Sequence, residues 1–366
     1  MTRPYRYLRI FDIEDGITRE FYNDEIKNLK ILEEISTSTE NLSINTLDLQ
    51  LKTKNDVGVL FQKTLPLKLF RNESLIGAFF IEQAEKEFEN SYKISATDYI
   101  GLLDNEKFLG GMYINETVGN IVASILENIP YTIEEELSTR TINGYIEILS
   151  KREALQKLIF SAGGVIDCSR TESIEIKLLN DEIISSFGKE KIVSIKEIVE
   201  SITTSIELTE HRYKLKKESQ KIIEDTISGE SLISFTSPYT SLSVTGGTII
   251  SSGVNYVLIN GTGAVTITGV GYDDIIIRKT KRNPLTVTTD IDKVKSYNTT
   301  LICNEINLID NLKFINKSLT VKLNLENQEK VGDKVNVLGQ SARITNLDYE
   351  LNTPSIYAIA EMEIET

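Results

Sequence analysis

The chain has 366 residues, enough for two to four domains of about 150 residues each, and 40% of them are hydrophobic, as is usual for globular cores. Its net charge of −14 and pI near 4.8 repel phosphate backbones, which argues against nucleic-acid binding. No run approaches the roughly 18 apolar residues of a membrane helix, and the N-terminus, MTRPYRYLRIF, lacks the apolar run of a secretory signal, so we expect folding in a reducing cytoplasm.

Alternating side chains in the first hundred residues predict an antiparallel β-domain over residues 1–104. Residues 5–11 and 17–21 are expected to form a hairpin, with Asp15-Gly16 at a turn that favours positive φ. A half-buried strand is predicted over 42–51. A meander completes this domain, with strands expected at 65–69, 75–83 and 91–96.

The hydrophobic period then changes to that of α-helices. One helix is expected to begin at Thr117, which precedes a single apolar stripe. A second is predicted over 150–162, where Ser150 and Glu153 form a capping box that satisfies two backbone donors. Gly163 follows this helix and can take the left-handed C-cap conformation.

A predicted hairpin over 165–178 completes an α+β domain that we expect to span residues 105–188. Within it, Glu134-Glu135-Glu136 is a cluster of like charges. We interpret it as a loop or a first helical turn in preference to a catalytic acid–base pair.

From about residue 189 the pattern returns to strands. Residues 189–228 together with 285–366 are expected to form a second β-domain, interrupted by an all-β insert at 229–284. The insert is rich in Thr, Ser, Val, Ile and Gly, and its turn signals at Gly246-Gly247, Asn260-Gly261 and 269–271 predict short strands.

The end of the chain is predicted to hold a helix over 300–311 and four strands. We expect these strands to pair with the region 195–217 across the insert. The basic run 212–217 is interpreted as a solvated strand or turn face, with contact to an anion as the alternative. The strands are expected at 318–325, 334–338, 342–351 and 356–364.

A catalytic site is not indicated by these residues. His211 is the only histidine, it has no G-x-S-x-G nucleophile motif to accompany it, and we interpret it as a solvated surface residue. Cys168 and Cys303 each lie in an apolar run and are expected to be small buried hydrophobic residues. The chain has no tryptophan and only 7% aromatic residues, which weakens the case for a carbohydrate-binding module.

Metal and phosphate sites are not predicted either. One histidine and two cysteines cannot supply a convincing zinc site. The acidic segment Asp12–Gly16 lacks the ligand alternation of a calcium loop and is better explained as a hairpin turn. Asp273-Asp274 is interpreted as a strand-entry turn, and Gly261-Thr262-Gly263 lacks the helix and the lysine of a phosphate loop. No cofactor-binding residue is expected.

Several segments resemble baseplate hub proteins of phage tails and of phage-tail-like bacteriocins from Gram-positive bacteria. LFRNESLIGAFFIEQAEKEFENSYKISATDYIGLLDNEKFLGG is similar to the end of the hub's first tube-like domain. TVGNIVASILENI and ILSKREALQKLIFSAGGVIDCSRTESIEIKLL resemble the helical and hairpin domain that follows it. GESLISFTSPYTSLSVTGG and NYVLINGTGAVTITGVGYDD resemble the β-insert, and EKVGDKVNVLG the closing strands of the second tube-like domain.

The resemblance implies a β-dominated α+β fold with two tube-like antiparallel β-barrel domains, a small α+β domain between them and the all-β insert in the second. It implies a homotrimer that presents six similar modules, matching a hexameric tail tube on one side and a trimeric spike on the other. Further implied partners are a tube-initiator protein and baseplate wedge or tape-measure proteins, with no nucleic acid and no membrane. The protein would assemble in the bacterial cytoplasm and reside in the tail baseplate without acting as an enzyme.

Two other functions stay open at this point. The chain could be the corresponding tail-tip protein of a non-contractile tail, which lacks a sheath. Less favoured is a cell-wall hydrolase that uses a pair of carboxylates, because 54 Asp and Glu residues offer many candidates and single out none.

Overall fold

The computed structural model of the protein describes residues 6–11, 18–36, 42–54, 65–88, 90–199, 201–285, 293–325, 329–352 and 356–365. The predicted turn at Asp15-Gly16 and the acidic segment Asp12–Gly16 lie outside these residues. The N-terminal part is all strand, as the alternating pattern predicts. Its strands are β1 (Arg6–Phe11), β2 (Thr18–Tyr22), β3 (Ile26–Glu34), β4 (Thr46–Lys52), β5 (Leu67–Arg71), β6 (Ser74–Phe88) and β7 (Ser91–Thr97).

The next part mixes helices and short strands, and its two main helices are where the sequence predicts them. Thr117 caps the first and Ser150 the second, where both hydrogen bonds of the capping box to Glu153 are present. Gly163 takes the left-handed conformation at φ 76°. The elements are α1 (Tyr99–Leu102), β8 (Lys107–Phe108), β9 (Gly111–Thr117), α2 (Val118–Leu126), β10 (Tyr131–Ile133), α3 (Glu135–Thr139), β11 (Thr141–Ile146), β12 (Leu149–Ser150), α4 (Lys151–Ala162), β13 (Val165–Asp167) and β14 (Ile174–Lys177).

The rest of the chain is again dominated by strands. They are β15 (Ile183–Phe187), β16 (Ile192–Val199), β17 (Ser205–Ser234), β18 (Tyr239–Ser252), β19 (Tyr256–Arg282), β20 (Val294–Thr299), β21 (Leu301–Cys303), β22 (Ile315–Leu325), β23 (Lys334–Val337), β24 (Gln340–Glu350) and β25 (Ile356–Glu365), with the short helix α5 (Leu308–Asn311) after β21. The prediction of a β-dominated fold is confirmed.

Strands from both ends of the chain share one 13-stranded sheet, and eight of them follow one another in the order β16-β22-β25-β24-β3-β4-β7-β6. Every neighbouring pair in this row is antiparallel. We call β16, β22, β25 and β24 the second block, and β3, β4, β7 and the C-terminal half of β6 the first block. One hydrophobic cluster runs through both blocks.

The two blocks have the same topology. We number the four strands of each block by their order in the chain. Along the sheet, both blocks then show the order first, second, fourth, third, and both are read in the same direction. In each block the third strand also pairs with the strand just before it in the chain, β6 with β5 and β24 with β23. The sheets of the described residues are open, so the barrel closure that the resemblance implies is not seen; the blocks join edge to edge through β24 and β3.

The predicted all-β insert is present, but its strands are longer than expected. β17 runs without a break across the predicted boundary at 228, and residues 205–228 pair with β19 and not with the final strands. The signals at Asn260-Gly261 and 269–271 lie inside β19. Glycine is needed at residue 261 for close approach, since a Cβ there would lie 2.9 Å from the carbonyl oxygen of Gly246.

Two further predictions differ from the structure. The expected helix over 300–311 is instead β21 followed by the four-residue α5, because Leu301 and Cys303 are buried and pair with β11. Of the region 195–217, only β16 pairs with a final strand, β22. The strand β3 was not predicted at all.

Candidate interaction surfaces

The eight-stranded row ends on each side in a strand with one neighbour. Within the described ranges, β16 pairs with β22 alone, and residues 82–88 of β6 pair with β7 alone. We call these the β16 edge and the β6 edge. Each leaves a row of backbone N–H and C=O groups without a ladder partner, which is the feature that allows a sheet to add a strand.

The β16 edge is apolar and uncovered. Val193, Ile195 and Val199 are 59%, 43% and 69% exposed. Ile195 lies opposite the fully buried Val321 of β22, so it belongs to the face of the sheet that covers the core. The core side of the sheet is therefore open to solvent at this edge, as expected for a surface that contacts another protein.

The β6 edge is polar, and acidic residues dominate it. Glu82, Glu85 and Glu87 are exposed, with Lys86 among them. Ala84 is half-buried and lies opposite Ile94 on the core face. The two edges therefore differ in chemistry, although they end the same sheet.

Between the blocks, β24 and β3 pair over five residues, from Asn346 opposite Glu34 to Glu350 opposite Lys30. Tyr349 and Ile31 are opposite each other here, and both are buried. The two blocks are therefore joined within one chain by antiparallel pairing of their edge strands, β24 and β3.

A buried polar cluster lies under that junction. The hydroxyl of Tyr349 donates to Glu33 Oε1 at 2.6 Å, and Arg170 Nε lies 3.4 Å from the same oxygen. The guanidinium also stands over the Tyr349 ring, 5.5 Å from its centroid. Burial raises the pKa of Glu33, and the nearby Arg170 charge opposes that rise. Since Arg170 follows β13, the α+β domain reaches the junction and holds it.

A second buried carboxylate lies where β7 leads into the α+β domain. Asp98 accepts hydrogen bonds from the backbone N–H groups of Asn45, Ile100 and Gly101, at 3.0, 2.9 and 3.3 Å. It caps α1 and connects the start of β4 to the end of β7. Burial raises the pKa of Asp98 to about 7, although the three donors favour its charged form.

His211 lies in a cleft between the long strands and the α+β domain, where it is half-buried and therefore less exposed than the predicted surface residue. Its side chain is 17% exposed, and Nδ1 lies 2.8 Å from Asp274 Oδ2. The cleft beside it, about 430 Å³, is also lined by Tyr113, Tyr213 and Tyr272. Asp274 and Asp273 lie within β19 opposite Tyr213 and Lys214, so they do not form a strand-entry turn.

The other residues considered as candidates in the sequence lie in the core or within regular strands and helices. Cys168 and Cys303 are buried free thiols, as predicted, and burial raises the pKa of Cys168 well above its usual value. Glu135 and Glu136 form the first turn of α3, as predicted. Gly261 and Gly263 lie inside β19. The basic run 212–217 is part of β17, a strand, as predicted.

Two observations concern the described ranges as a whole. No group of three or more histidine, cysteine or acidic side chains there is placed to hold a metal ion. None of the helices in those ranges is long and apolar enough to cross a bilayer.

No protein-family model and no curated protein matches the sequence. Solved structures do match over nearly the whole chain. A tail protein from Neisseria meningitidis MC58 aligns with a TM-score of 0.57 and 8% identity, covering 99% of this chain and 96% of that one. The prophage tail protein gp18 from Listeria monocytogenes EGD-e gives 0.56 and 10%, covering 96% and 94%.

The 43 kDa tail protein of prophage MuSo2 from Shewanella oneidensis gives a TM-score of 0.52 at 8% identity, covering 98% of this chain and 97% of that one. The chain therefore has the fold of phage tail proteins. The resemblance predicted from its sequence is confirmed at the level of the fold.

Proposed function

We propose that this protein is the structural hub of a tail baseplate, in a phage or a phage-tail-like bacteriocin. Three copies form a ring that joins a hexameric tail tube to a trimeric central spike. The observation that carries this proposal is the repeated strand order of the two blocks within one sheet. The shared fold with tail proteins supports it.

The repeat supplies the symmetry that such a joint needs. Both blocks read in the same direction along the sheet, so a rotation, with no reversal, relates one to the other. Three chains then present six similar blocks, and contacts between unlike edges close into a ring when the rotation per block is one sixth of a turn. The sheet of the ring then has approximate sixfold symmetry, and the parts that occur once per chain have threefold symmetry.

The two ends of the sheet differ, which gives the ring a polarity. The α+β domain leaves the sheet after Thr97 of β7, and the insert leaves after Val199 of β16 and returns at Ile315. Because β7 and β16 run in the same direction along the sheet, both large additions emerge at one end.

At the opposite end, residues 23–25 link β2 to β3, residues 89–90 link β6 to β7, and residues 53–66 link β4 to β5. We assign this end, which lacks the α+β domain and the insert, to the sixfold tube, since six similar blocks present similar surfaces there. The α+β domain and the insert each occur once per chain, so the end that carries them faces the threefold spike. Tube-initiator, wedge or tape-measure proteins would contact the same ring, which acts by shape and symmetry without catalysis.

The proposal is tested by mass and symmetry. Light scattering of the purified chain should give three times the monomer mass of 41.2 kDa, and electron microscopy of the particle should place a threefold ring with six similar sheet blocks at the end of the tube. A chain that stays monomeric at high concentration and binds neither tube nor spike subunits would contradict it. So would cell-wall clearing in a zymogram that disappears when one Asp or Glu is substituted.

A further inference from the structure

We propose that residues 211–215 of β17 are a docking site for an extended peptide of another protein, in which acidic and apolar side chains alternate, and that this peptide adds to β17 as a strand. We call these residues the β17 edge. They belong to the four-stranded sheet β18-β19-β17-β20, which is separate from the 13-stranded sheet. The inference therefore goes beyond the proposed hub and does not depend on the ring.

The first argument is a strand pair that stops early. β20 runs parallel to β17 and pairs with it only over residues 205–210. The residue after β20, Thr300, is held to β11 instead: its carbonyl oxygen accepts from the backbone N–H of Tyr145 at 3.0 Å, and its hydroxyl donates to the carbonyl of Tyr145 at 2.6 Å. From residue 211 onward, β19 is the only strand of the described residues that pairs with β17. The backbone groups of the β17 edge that point away from β19 are therefore available to an added strand.

The second argument is the cleft of about 430 Å³ beside this edge. Its walls come from β17 and β19 and from β9, β11 and β21, and its volume is in the range of ligand sites. His211, Tyr213 and Leu215 line it from β17, because alternate residues of a strand point to one face. Ile114 lines it from β9. Leu215 and Ile114 are 51% and 76% exposed, so apolar side chains that entered the cleft would remove both from water.

The third argument is charge, which decides the chemistry of the peptide. Arg212 and Lys214 are exposed and point to the other face of β17, away from the cleft-lining face. Arg212 Nη2 lies 3.9 Å from Glu210 Oε2, which is beyond hydrogen-bond distance. The run 212–217 carries four positive charges in a chain whose net charge is −14, and Asp273, opposite Lys214, offsets only one of them.

An added strand would use all three features together. Its backbone would pair with the β17 edge, and its side chains would alternate between the two faces of the sheet. Acidic side chains would meet Arg212 and Lys214, and the apolar side chains between them would enter the cleft. A free anion would leave the strand edge and the exposed Leu215 uncovered, so the geometry favours a peptide.

A synthetic peptide tests the site on the full chain. The probe is a fluorescently labelled seven-residue peptide in which glutamate alternates with valine, and fluorescence anisotropy at low salt measures its binding. We expect a dissociation constant below about 1 mM and slower hydrogen exchange at residues 211–215 in the complex. The matched peptide with lysine in place of glutamate should bind about tenfold more weakly.

Backbone pairing has a control of its own. In an added strand, only every second residue points its N–H toward β17. Two further peptides carry N-methyl groups at all the glutamates or at all the valines. One of them should lose binding and the other should keep it. Equal loss or equal retention would overturn strand addition.

Charge reversal locates the contact on the protein. Arg212→Glu and Lys214→Glu should each raise the dissociation constant about three- to tenfold. The matched control is Arg278→Glu, which makes the same change at an exposed residue of β19 opposite Thr209, where β20 still covers β17. It should change the constant less than about twofold.

Three results would overturn the docking site and leave the hub proposal standing. They are no binding of the acidic peptide up to about 1 mM, binding that leaves hydrogen exchange at residues 211–215 unchanged, and equal effects of the Arg212 and Arg278 reversals. Exchange at the β17 edge that slows as the concentration of the chain alone is raised would overturn it in favour of a second copy as the occupant.

Discussion

The two blocks of the sheet share one strand order but differ in what connects their first two strands. In the first block, β3 and β4 are linked by residues 35–45; in the second, the equivalent link between β16 and β22 is residues 200–314 and contains the whole β-insert. A sheet tolerates such an insertion because the entropy of closing a loop grows only slowly with its length. The four-strand framework is therefore what the two blocks share, and the insertions distinguish one end of the sheet from the other.

The blocks also differ at their free edges, although their interiors are alike. β4 and β22, the second strands, contribute buried leucine and valine side chains to one shared cluster. The β6 edge is acidic and the β16 edge is apolar. The interior of the sheet therefore preserves the repeat, while the two free edges differ in chemistry.

The largest effect is expected at the junction between the blocks. Arg170→Met removes the cation beside the buried Glu33 and should lower the free energy of unfolding by about 3–5 kcal/mol, because the buried carboxyl then loses the positive charge that favours its ionised form. Chemical denaturation followed by circular dichroism measures this. The double variant with Glu33→Gln should recover more than half of the loss. A change below about 1 kcal/mol for Arg170→Met alone would show that the cluster does not hold the blocks together.

A slightly smaller effect is expected from equivalent positions inside the two blocks. Leu49→Ala in β4 and Leu323→Ala in β22 each remove a buried side chain from the shared cluster and should each cost about 2–4 kcal/mol. Both should shift the same cooperative transition, since one core serves both blocks. Lys322→Ala, an exposed neighbour, should change stability by less than about 0.5 kcal/mol. Two separate transitions would show that the blocks unfold independently.

The pH dependence of stability tests the buried Asp98, which lies directly after the last residue of β7. The pKa of Asp98 is raised to about 7, above the unfolded value of about 4. The folded state therefore binds this proton more tightly, and the resulting stability is fully present below pH about 4 and is lost as the pH rises to about 7.

The measurement is the free energy of unfolding of the parent chain relative to Asp98→Asn, across that range. The advantage of the parent should shrink with rising pH, by at most about 1.4 kcal/mol per pH unit, and level off above pH about 7. An advantage that grows with pH would mean that the donors at Asn45, Ile100 and Gly101 keep the carboxylate charged.

The elements that the sequence predicts correctly are those with local signals. The helix α4 has a capping box at Ser150 and Glu153 and a left-handed Gly163, and each of these acts within a few residues. The strand β3 was missed because a register shift between Ile26 and Asn28 breaks its alternation. The residues 301–303 were assigned to a helix because their pairing with β11 is not visible locally.

The open edges could not be located from sequence for a related reason. Which edges are open depends on which strands pair, and the β24–β3 junction joins residues more than 300 positions apart, such as Glu34 and Asn346. Ile195 and Val199 look like ordinary core residues in the sequence. Only the structure shows that no strand of the described residues covers them.

The smallest effect is expected from an exposed ion pair at the same junction. Lys30 Nζ lies 2.9 Å from Asp348 Oδ2, with the side chains 45% and 32% exposed, and their hydrogen bond raises the pKa of Lys30. A double-mutant cycle of Lys30→Ala and Asp348→Ala should give a coupling energy below about 1 kcal/mol that disappears in 1 M salt, because solvent screens the pair. A coupling above about 2 kcal/mol would contradict this. Since the buried Arg170–Glu33 pair lies beneath the same junction, the two measurements separate the contribution of a buried ion pair from that of an exposed one.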